Sequence, residues 1–219
     1  MKTFIIGIAG GVGGRLARLL HDHGDEVDGL YRRPEQGVAL AADGINATRG
    51  DLSSLDPTAL AHMIRGSDVL VFSAGAGGEG GNAGTTAIDG DGLTTAITAA
   101  RSAGVTRLVL VSVFPDAWRG RAVSDTFEHY IEVKKRAEVE LVATEDLDWL
   151  IVRPAALLDD PGAGRVALAP ALIHTEVTRD DVAAVLAELV HTPEIHRKIL
   201  ELTSGDTPVP DAVSHLLRE

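Results

Sequence analysis

Residues Gly7-Ile8-Ala9-Gly10-Gly11-Val12-Gly13 follow a short apolar run, Thr3-Phe4-Ile5-Ile6, and lead into a helical pattern near Arg15. No other stretch restricts the fold as much as this succession of strand, glycine-rich turn and helix. A helix N-terminus presents unpaired N–H groups and a partial positive charge, which suits a diphosphate. Glycines let the backbone turn tightly and let a phosphate approach without meeting a Cβ. The spacing is G-x-x-G-x-x-G. Glycine is common in this chain, at 24 of 219 residues, so the weight of the motif lies in its position between strand and helix. The bland alternative is a tight turn with no ligand.

The rest of the chain alternates short apolar runs with helical stretches. Residues 3–7, 26–31, 43–49, 68–73, 106–113, 149–153 and 198–203 read as strands, the third of them weak. Helices are expected over 14–22, 85–103, 126–144 and 179–191, with Gly24 and Gly104 as stops. Asp56-Pro57 reads as an N-cap followed by proline at N1, opening a helix that ends at Gly66. Strands without strict polar alternation, separated by helices, imply a parallel sheet covered on both faces. The expectation is α/β: a doubly wound (Rossmann) mainly parallel sheet of about six to seven strands in a single domain over 1–219, with a small substrate-side C-terminal annex within 155–219.

Composition narrows the function classes. Hydrophobic residues make up 45% of the chain, aromatics only 4%, so the core is aliphatic. The formal charge of −12 argues against a nucleic-acid partner or an anionic membrane surface. There is no cysteine, which excludes disulfides, thiolate metal sites and cysteine nucleophiles. No apolar run approaches the roughly 18 residues of a membrane span, and no signal-peptide pattern opens the sequence. A cytoplasmic protein, monomeric or a small homo-oligomer, acting on a small-molecule substrate is the resulting expectation.

Several further positions carry chemistry. The second strand ends in Tyr31-Arg32-Arg33-Pro34, where folds that prefer NAD place an acid for the ribose 2′-hydroxyl. Two guanidinium groups there suit a 2′-phosphate and favour NADP(H) over NAD(H), a pair of solvated arginines being the alternative. Gly50-Asp51-Leu52 follows the third strand: Asp51 could accept from the adenine amino group with Leu52 on the ring, or simply form an Asx turn. Ser73-Ala74-Gly75 ends the fourth strand with small residues that would let backbone run beside the adenosine ribose. They open a glycine-rich loop, 75–84, suited to covering a ligand or to being a mobile surface segment. Tyr130 and Lys134 lie four apart on a predicted helix and share a face. An ammonium near the phenol would lower its pKa and fit Tyr130 for acid/base work on an alcohol or carbonyl oxygen. Lys134 could also bind ribose hydroxyls, and Ser112, at the end of the fifth strand, could hold the same substrate oxygen. An ordinary amphipathic helix is the alternative for the tyrosine–lysine pair.

Taken together, GIAGGVG at 7–13, YRRP at 31–34, GDL at 50–52, SAGAG at 73–77, AARSAGVTRLVLVS at 99–112, YIEVKKRAEVEL at 130–141, LDWLIVRPAALLDDPGAG at 147–164 and TRDDVAAVL at 178–186 resemble the atypical branch of the short-chain dehydrogenase/reductase superfamily. The resemblance spans essentially the whole chain and is to the NAD(P)H-binding, NmrA-like and biliverdin-reductase-B-like group. It implies that Val12 joins Gly7, Gly10, Gly11 and Gly13 at the diphosphate, and that Arg32 and Arg33 face the 2′-phosphate. It also implies that Pro154, Ala155, Ala156 and Leu157 line the nicotinamide pocket, and that Lys134 and Tyr130 match the lysine and tyrosine of active members. Relatives without the tyrosine act as cofactor-sensing regulators, which makes a non-catalytic NADP(H) sensor the first alternative to an NADP(H)-dependent oxidoreductase. A sugar-nucleotide epimerase or dehydratase is the second, set back because only about 65 residues follow the sixth strand. Ser112 departs from many relatives in being followed by Val-Phe-Pro, and the segment before Tyr130 carries Trp118, Arg119 and Arg121, which look substrate-facing. Glu138, Glu140, Lys135 and Arg136 read as a solvated helix face. The eight histidines are scattered without ligand spacing, so no metal site is expected.

Overall fold

The computed structural model describes residues 1–118 and 122–218. Strand β1 (Lys2–Ile6) runs into helix α1 (Gly11–His23), then β2 (Glu26–Tyr31), α2 (Pro34–Ala42), β3 (Thr48–Arg49), α3 (Pro57–Ile64) and β4 (Val69–Phe72). Helix α4 (Gly81–Thr85), a π-helical turn (Thr86–Asp91) and α5 (Gly92–Ala103) lead to β5 (Arg107–Val111), α6 (Asp125–Val142) and β6 (Asp148–Pro154). The remainder comprises β7 (Ala156–Leu158), β8 (Arg165–Ala169), β9 (Glu176–Thr178), α7 (Arg179–Val190), β10 (Lys198–Ser204), β11 (Thr207–Pro208) and α8 (Val209–His215). The main sheet has nine strands in the order β11-β8-β10-β6-β5-β4-β1-β2-β3. It is parallel from β3 to β10, and β8 pairs antiparallel with both β10 and β11. The order reverses between β1 and β4, and a doubly wound sheet binds its ligand in the crevice outside the carboxyl ends at such a reversal.

Each central strand is buried on both faces, and its side chains divide by alternation. Phe4 and Ile6 of β1, Leu70 and Phe72 of β4, and Leu108 and Leu110 of β5 pack toward α3 and α5. Ile5, Val69, Val71 and Val109 face the other way, onto the layer built from α1, α7 and α8. Local signals behave as their chemistry dictates. Asp56 Oδ1 accepts from the N–H groups of Thr58 and Ala59, with Pro57 next in line. Gly24 and Gly104 close their helices at φ 95° and 76°.

Three differences from the sequence expectation have local causes. The run over 43–49 is a strand only at its last two residues, and α2, with Gly37 in its middle, precedes it; its start is held by Gln36 Oε1, which accepts from the N–H groups of Arg32 and Arg33 at 3.1 and 2.8 Å. The helix expected over 85–103 begins earlier and contains the π-helical turn. The sheet exceeds seven strands because β8 and β11 are short, mixed in polarity and recognisable only from their partners. Beyond β6, the chain also forms a separate parallel pair, β7 with β9.

Candidate functional site

A groove of about 800 Å3 opens at the carboxyl ends of β1, β2, β4 and β5. Its floor is the first glycine turn. Gly7 sits at φ +89°, and a Cβ there would come within 2.7 Å of the Ala74 amide nitrogen. The turn closes with Gly10 N–H donating to Gly7 O at 2.8 Å. Gly10 is the N-cap of α1 and has no side chain with which to cap it, so the helix N-terminus faces the groove with its donors available to a ligand. Gly7, Gly10, Gly11 and Val12 line the groove. Gly13 is not among the lining residues: a Cβ there would lie 2.3 Å from Gly7 O, so its smallness serves the packing of α1 on the turn. Arg179, at the start of α7, also lines the groove, its Cδ 2.8 Å from where a Gly11 Cβ would be and its guanidinium 2.9 Å from Asp159. Nothing near Arg179 in sequence marked it as a neighbour of the glycine turn.

At the far end the groove is lined by Arg32, Arg33, Asp51, Leu52, Ser73, Ala74 and Gly75. Asp51 Oδ1 accepts from the hydroxyl and the amide of Ser53 at 2.7 and 3.0 Å, which holds its carboxyl below the usual range. The Asx turn and the groove-facing position therefore coexist. The two arginines are not free: Arg32 Nη2 donates to Glu79 Oε2, and Arg33 Nη1 lies 3.6 Å from Glu79 Oε1. Glu79 belongs to the glycine-rich loop, and Arg32 holds its carboxyl below the usual range.

Ser112, Tyr130 and Lys134 all line the same groove. Ser112 follows the end of β5 with its N–H on Val152 O at 2.7 Å, and among the described residues its buried Oγ has no hydrogen-bond partner. Lys134 is 3% exposed; its ammonium donates to Val111 O at 3.0 Å and stands 3.8 Å from Asp89 Oδ1. Asp89, also 3% exposed, is held inward by the π-helical turn and accepts the Ala76 N–H at 2.9 Å through Oδ2. Burial pushes the Asp89 carboxyl up, opposed by Lys134, and pushes the Lys134 ammonium down, opposed by Asp89 and Glu138. The expectation that Lys134 lowers the Tyr130 pKa is not met. Burial, and secondarily the Asp89 charge, push the phenol above its ordinary range, while the ammonium is directed at Asp89 and a carbonyl.

Of residues 154–157, Leu157 alone is among the residues that line the groove. Pro154 and Ala155 are buried, with the Ala155 N–H on Leu202 O at 2.9 Å, and the Ala156 N–H donates to Thr175 O at 3.3 Å. Pro154 ends β6, Ala156 begins β7, and Ala155 joins the two strands. Beside Tyr130 the groove has an aromatic flank: Phe127 stacks on Trp118 with centroids 5.0 Å apart and lies 6.1 Å from Tyr130. A further cavity of about 380 Å3 continues from this flank past Pro115, Ala117 and Ile131. Trp118 has the left-handed φ of +59° and is half-exposed; Arg119 and Arg121 lie outside the described residues. Away from the groove, His23, Asp25 and His191 converge with ligand-type atoms within 4.8 Å of one another, although their spacing in sequence suggested no such set.

Among the described residues no helix is long and apolar enough to cross a membrane. The sequence profile of the NAD(P)H-binding family matches residues 7–193. A Bacillus subtilis protein described as an uncharacterized sugar epimerase is 33% identical over 217 residues, covering 99% of this chain and 100% of the relative. A Bacillus halodurans structure, described provisionally as an NAD-dependent epimerase/dehydratase, superposes with a TM-score of 0.88 at 31% identity, over 98% of this chain and 99% of that one. ChuY of Escherichia coli O157:H7, described as an anaerobillin reductase, superposes with a TM-score of 0.78 at 25% identity, over 94% of this chain and 98% of that one.

Proposed function

This chain belongs to the NAD(P)H-binding family, within the atypical short-chain dehydrogenase/reductase group, and from that premise we propose that it is an NADP(H)-dependent oxidoreductase reducing a small organic carbonyl or related redox substrate. The observation that carries the reading is the buried Ser112 hydroxyl: among the described residues four buried side-chain polar atoms lack a partner, and Ser112 is the one of these residues that lines the groove, as Tyr130 does. A buried hydroxyl left without a hydrogen bond is costly unless a ligand completes it.

The residues present fit the cofactor. A Cβ at Gly7 or Gly13 would clash with backbone, the uncapped start of α1 offers N–H groups to a diphosphate, and Arg32 and Arg33, lining the same groove, suit a 2′-phosphate. When bound, a nicotinamide supplies hydride-transfer chemistry. Tyr130, with its pKa pushed up, holds its phenolic proton at neutral pH and suits donation to an oxygen that gains negative charge. Ser112 Oγ can donate to the same oxygen, and Lys134, braced by Asp89, is available to cofactor hydroxyls. Phe127, which lines the groove beside Tyr130 and is backed by Trp118, offers an aromatic face suited to a compact, planar substrate, which supports a reductase above the epimerase reading.

The test is Tyr130→Phe, assayed with NADPH against a panel of aldehydes, ketones, quinones and flavins. Turnover should fall about 100-fold or more, the scale of a lost general acid, with NADPH affinity nearly unchanged. Unaltered turnover removes Tyr130 from the chemistry. Tight NADPH binding by the wild type without turnover of any panel member would favour a sensor.

A further inference from the structure

The end of β2 carries Arg32 and Arg33 where folds that prefer NAD carry an acid for the ribose 2′-hydroxyl. An acid nevertheless reaches that place. Glu79 comes across from the loop after β4 and bonds Arg32, with Arg33 3.6 Å from its second oxygen. One carboxylate thus spans the two guanidinium groups, Arg33 pairing in addition with Glu35 at 3.1 Å. All three side chains line the same groove.

The loop that carries Glu79 depends on glycine for its backbone path. Gly77, Gly78, Gly80 and Gly81 have φ of +61°, +86°, +72° and +58°, left-handed values that favour glycine. At three of them, Gly77, Gly78 and Gly81, an added Cβ would meet nothing within 4 Å, so backbone conformation rather than crowding calls for glycine there. The root of the loop is fixed, because Ala76 N–H is held by the buried Asp89 at 2.9 Å. Glu79 itself is exposed, and exposed ion pairs are weak enough to exchange partners.

We propose that Glu79 is a cofactor-selectivity residue: it accepts the 2′-hydroxyl of NAD(H) and competes with the 2′-phosphate of NADP(H) for Arg32 and Arg33. The inference rests on the preceding reading of the groove as a dinucleotide site. A ribose 2′-hydroxyl is neutral and can donate to the carboxylate where it stands, so NAD(H) enters with the loop in place. A 2′-phosphate carries about two negative charges and three acceptor oxygens, so it repels Glu79 and takes over both arginines. The chain therefore holds the recognition groups for both cofactors, and Glu79 moderates the preference that its arginines alone would set.

The experiment is Glu79→Gln, an isosteric change at an exposed position, with Kd for NADP+ and NAD+ measured by titration calorimetry alongside 2′-phosphorylated and unphosphorylated adenosine nucleotides. NADP+ should bind roughly fivefold tighter and NAD+ about twofold weaker, the scale expected of one exposed charge. With Arg32→Ala as the background, the gain for NADP+ should shrink toward none. A ratio of the two Kd values that Glu79→Gln leaves unchanged overturns the role of Glu79 while leaving the dinucleotide site standing. A wild type that binds neither nucleotide overturns the groove reading and the role of Glu79 with it.

Discussion

At the amino ends of the strands, Arg107 is buried at the start of β5, and its Nη1 and Nη2 donate to the carbonyls of Pro193, Leu189, Thr192 and Ile195 at 2.8–3.3 Å. At the carboxyl end of the same strand, Ser112 is equally buried, and its hydroxyl, like Arg107 Nε, has no partner among the described residues, but Ser112 lines the groove. The contrast extends sideways. Beside β1 and β2 at the amino end, Asp25 takes the Met1 ammonium on one oxygen and the His191 and His23 rings on the other, at 2.8, 2.8 and 3.1 Å. His191 Nδ1 is 2.9 Å from Ala187 O, so that ring nitrogen also has a partner. At the carboxyl end lie an uncapped helix start, a glycine turn and a loop whose acid holds the arginines only from the surface. Buried side-chain atoms without a partner among the described residues occur at both ends, Thr3 Oγ1, Ser67 Oγ and Arg107 Nε at the amino end and Ser112 Oγ at the carboxyl end. The ends differ in that the first ties α1, α7 and the strands together and the second opens into a groove. A doubly wound sheet separates these duties because its helix N-termini, with their free donors, gather at the carboxyl ends of the strands.

Substitutions at the two ends should therefore separate folding from binding. The largest effect is that of Tyr130→Phe on turnover, with stability close to wild type. Next, Arg107→Leu should cost about 2–4 kcal/mol in denaturant unfolding, since it strands carbonyls at the end of α7, while nucleotide affinity of the folded protein stays within about twofold. Loss of nucleotide binding without loss of stability would break the division of labour. Asp25→Asn should cost about 1–2 kcal/mol near neutral pH. Burial works to raise the Asp25 pKa, but the Met1 ammonium and the His191 and His23 rings outweigh it and hold the carboxyl below the usual range. A depressed folded-state pKa gives stability that is present above the unfolded value of about 3.9 and is lost as pH falls through the folded value. Acid unfolding curves should thus converge for wild type and Asp25→Asn at low pH and diverge as pH rises. Ser112→Ala should give the smallest change in folding, within about 1 kcal/mol and neutral or favourable in sign, because no hydrogen bond is removed; turnover should nevertheless fall. A clear drop in melting temperature for Ser112→Ala would show that the hydroxyl serves the fold after all.

Much of this site can be read from local sequence. The glycine turn is legible because backbone conformation and close approach at Gly7 depend on neighbours a few residues away. Tyr130 and Lys134 are legible as a pair because a helix places every fourth residue on one face. Their electrostatics are not: the sense of the Tyr130 shift depends on burial and on Asp89, 41 positions earlier in the chain. Glu138 has the sequence setting of a solvated helix residue, yet it is buried against Arg153, whose Nε donates to it at 3.0 Å. Beside the groove-lining Leu157 in sequence, Pro154 is buried as the last residue of β6, and Ala155 and Ala156 donate their N–H groups to Leu202 O and Thr175 O.

By itself, the sequence determined the alternation of strand and helix, the glycine turn before α1, and thereby the α/β fold and the end of the sheet at which a ligand is received. These follow from side-chain periodicity and backbone freedom, which act over a few residues. The tertiary structure alone decided that Glu79 meets Arg32 and Arg33, that Asp89 braces Lys134, that Arg179 reaches the glycine turn, and that His23, Asp25 and His191 converge. Each of those pairings joins segments far apart in the chain, brought together by burial of the two apolar faces of the sheet rather than by any signal in the residues that finally touch.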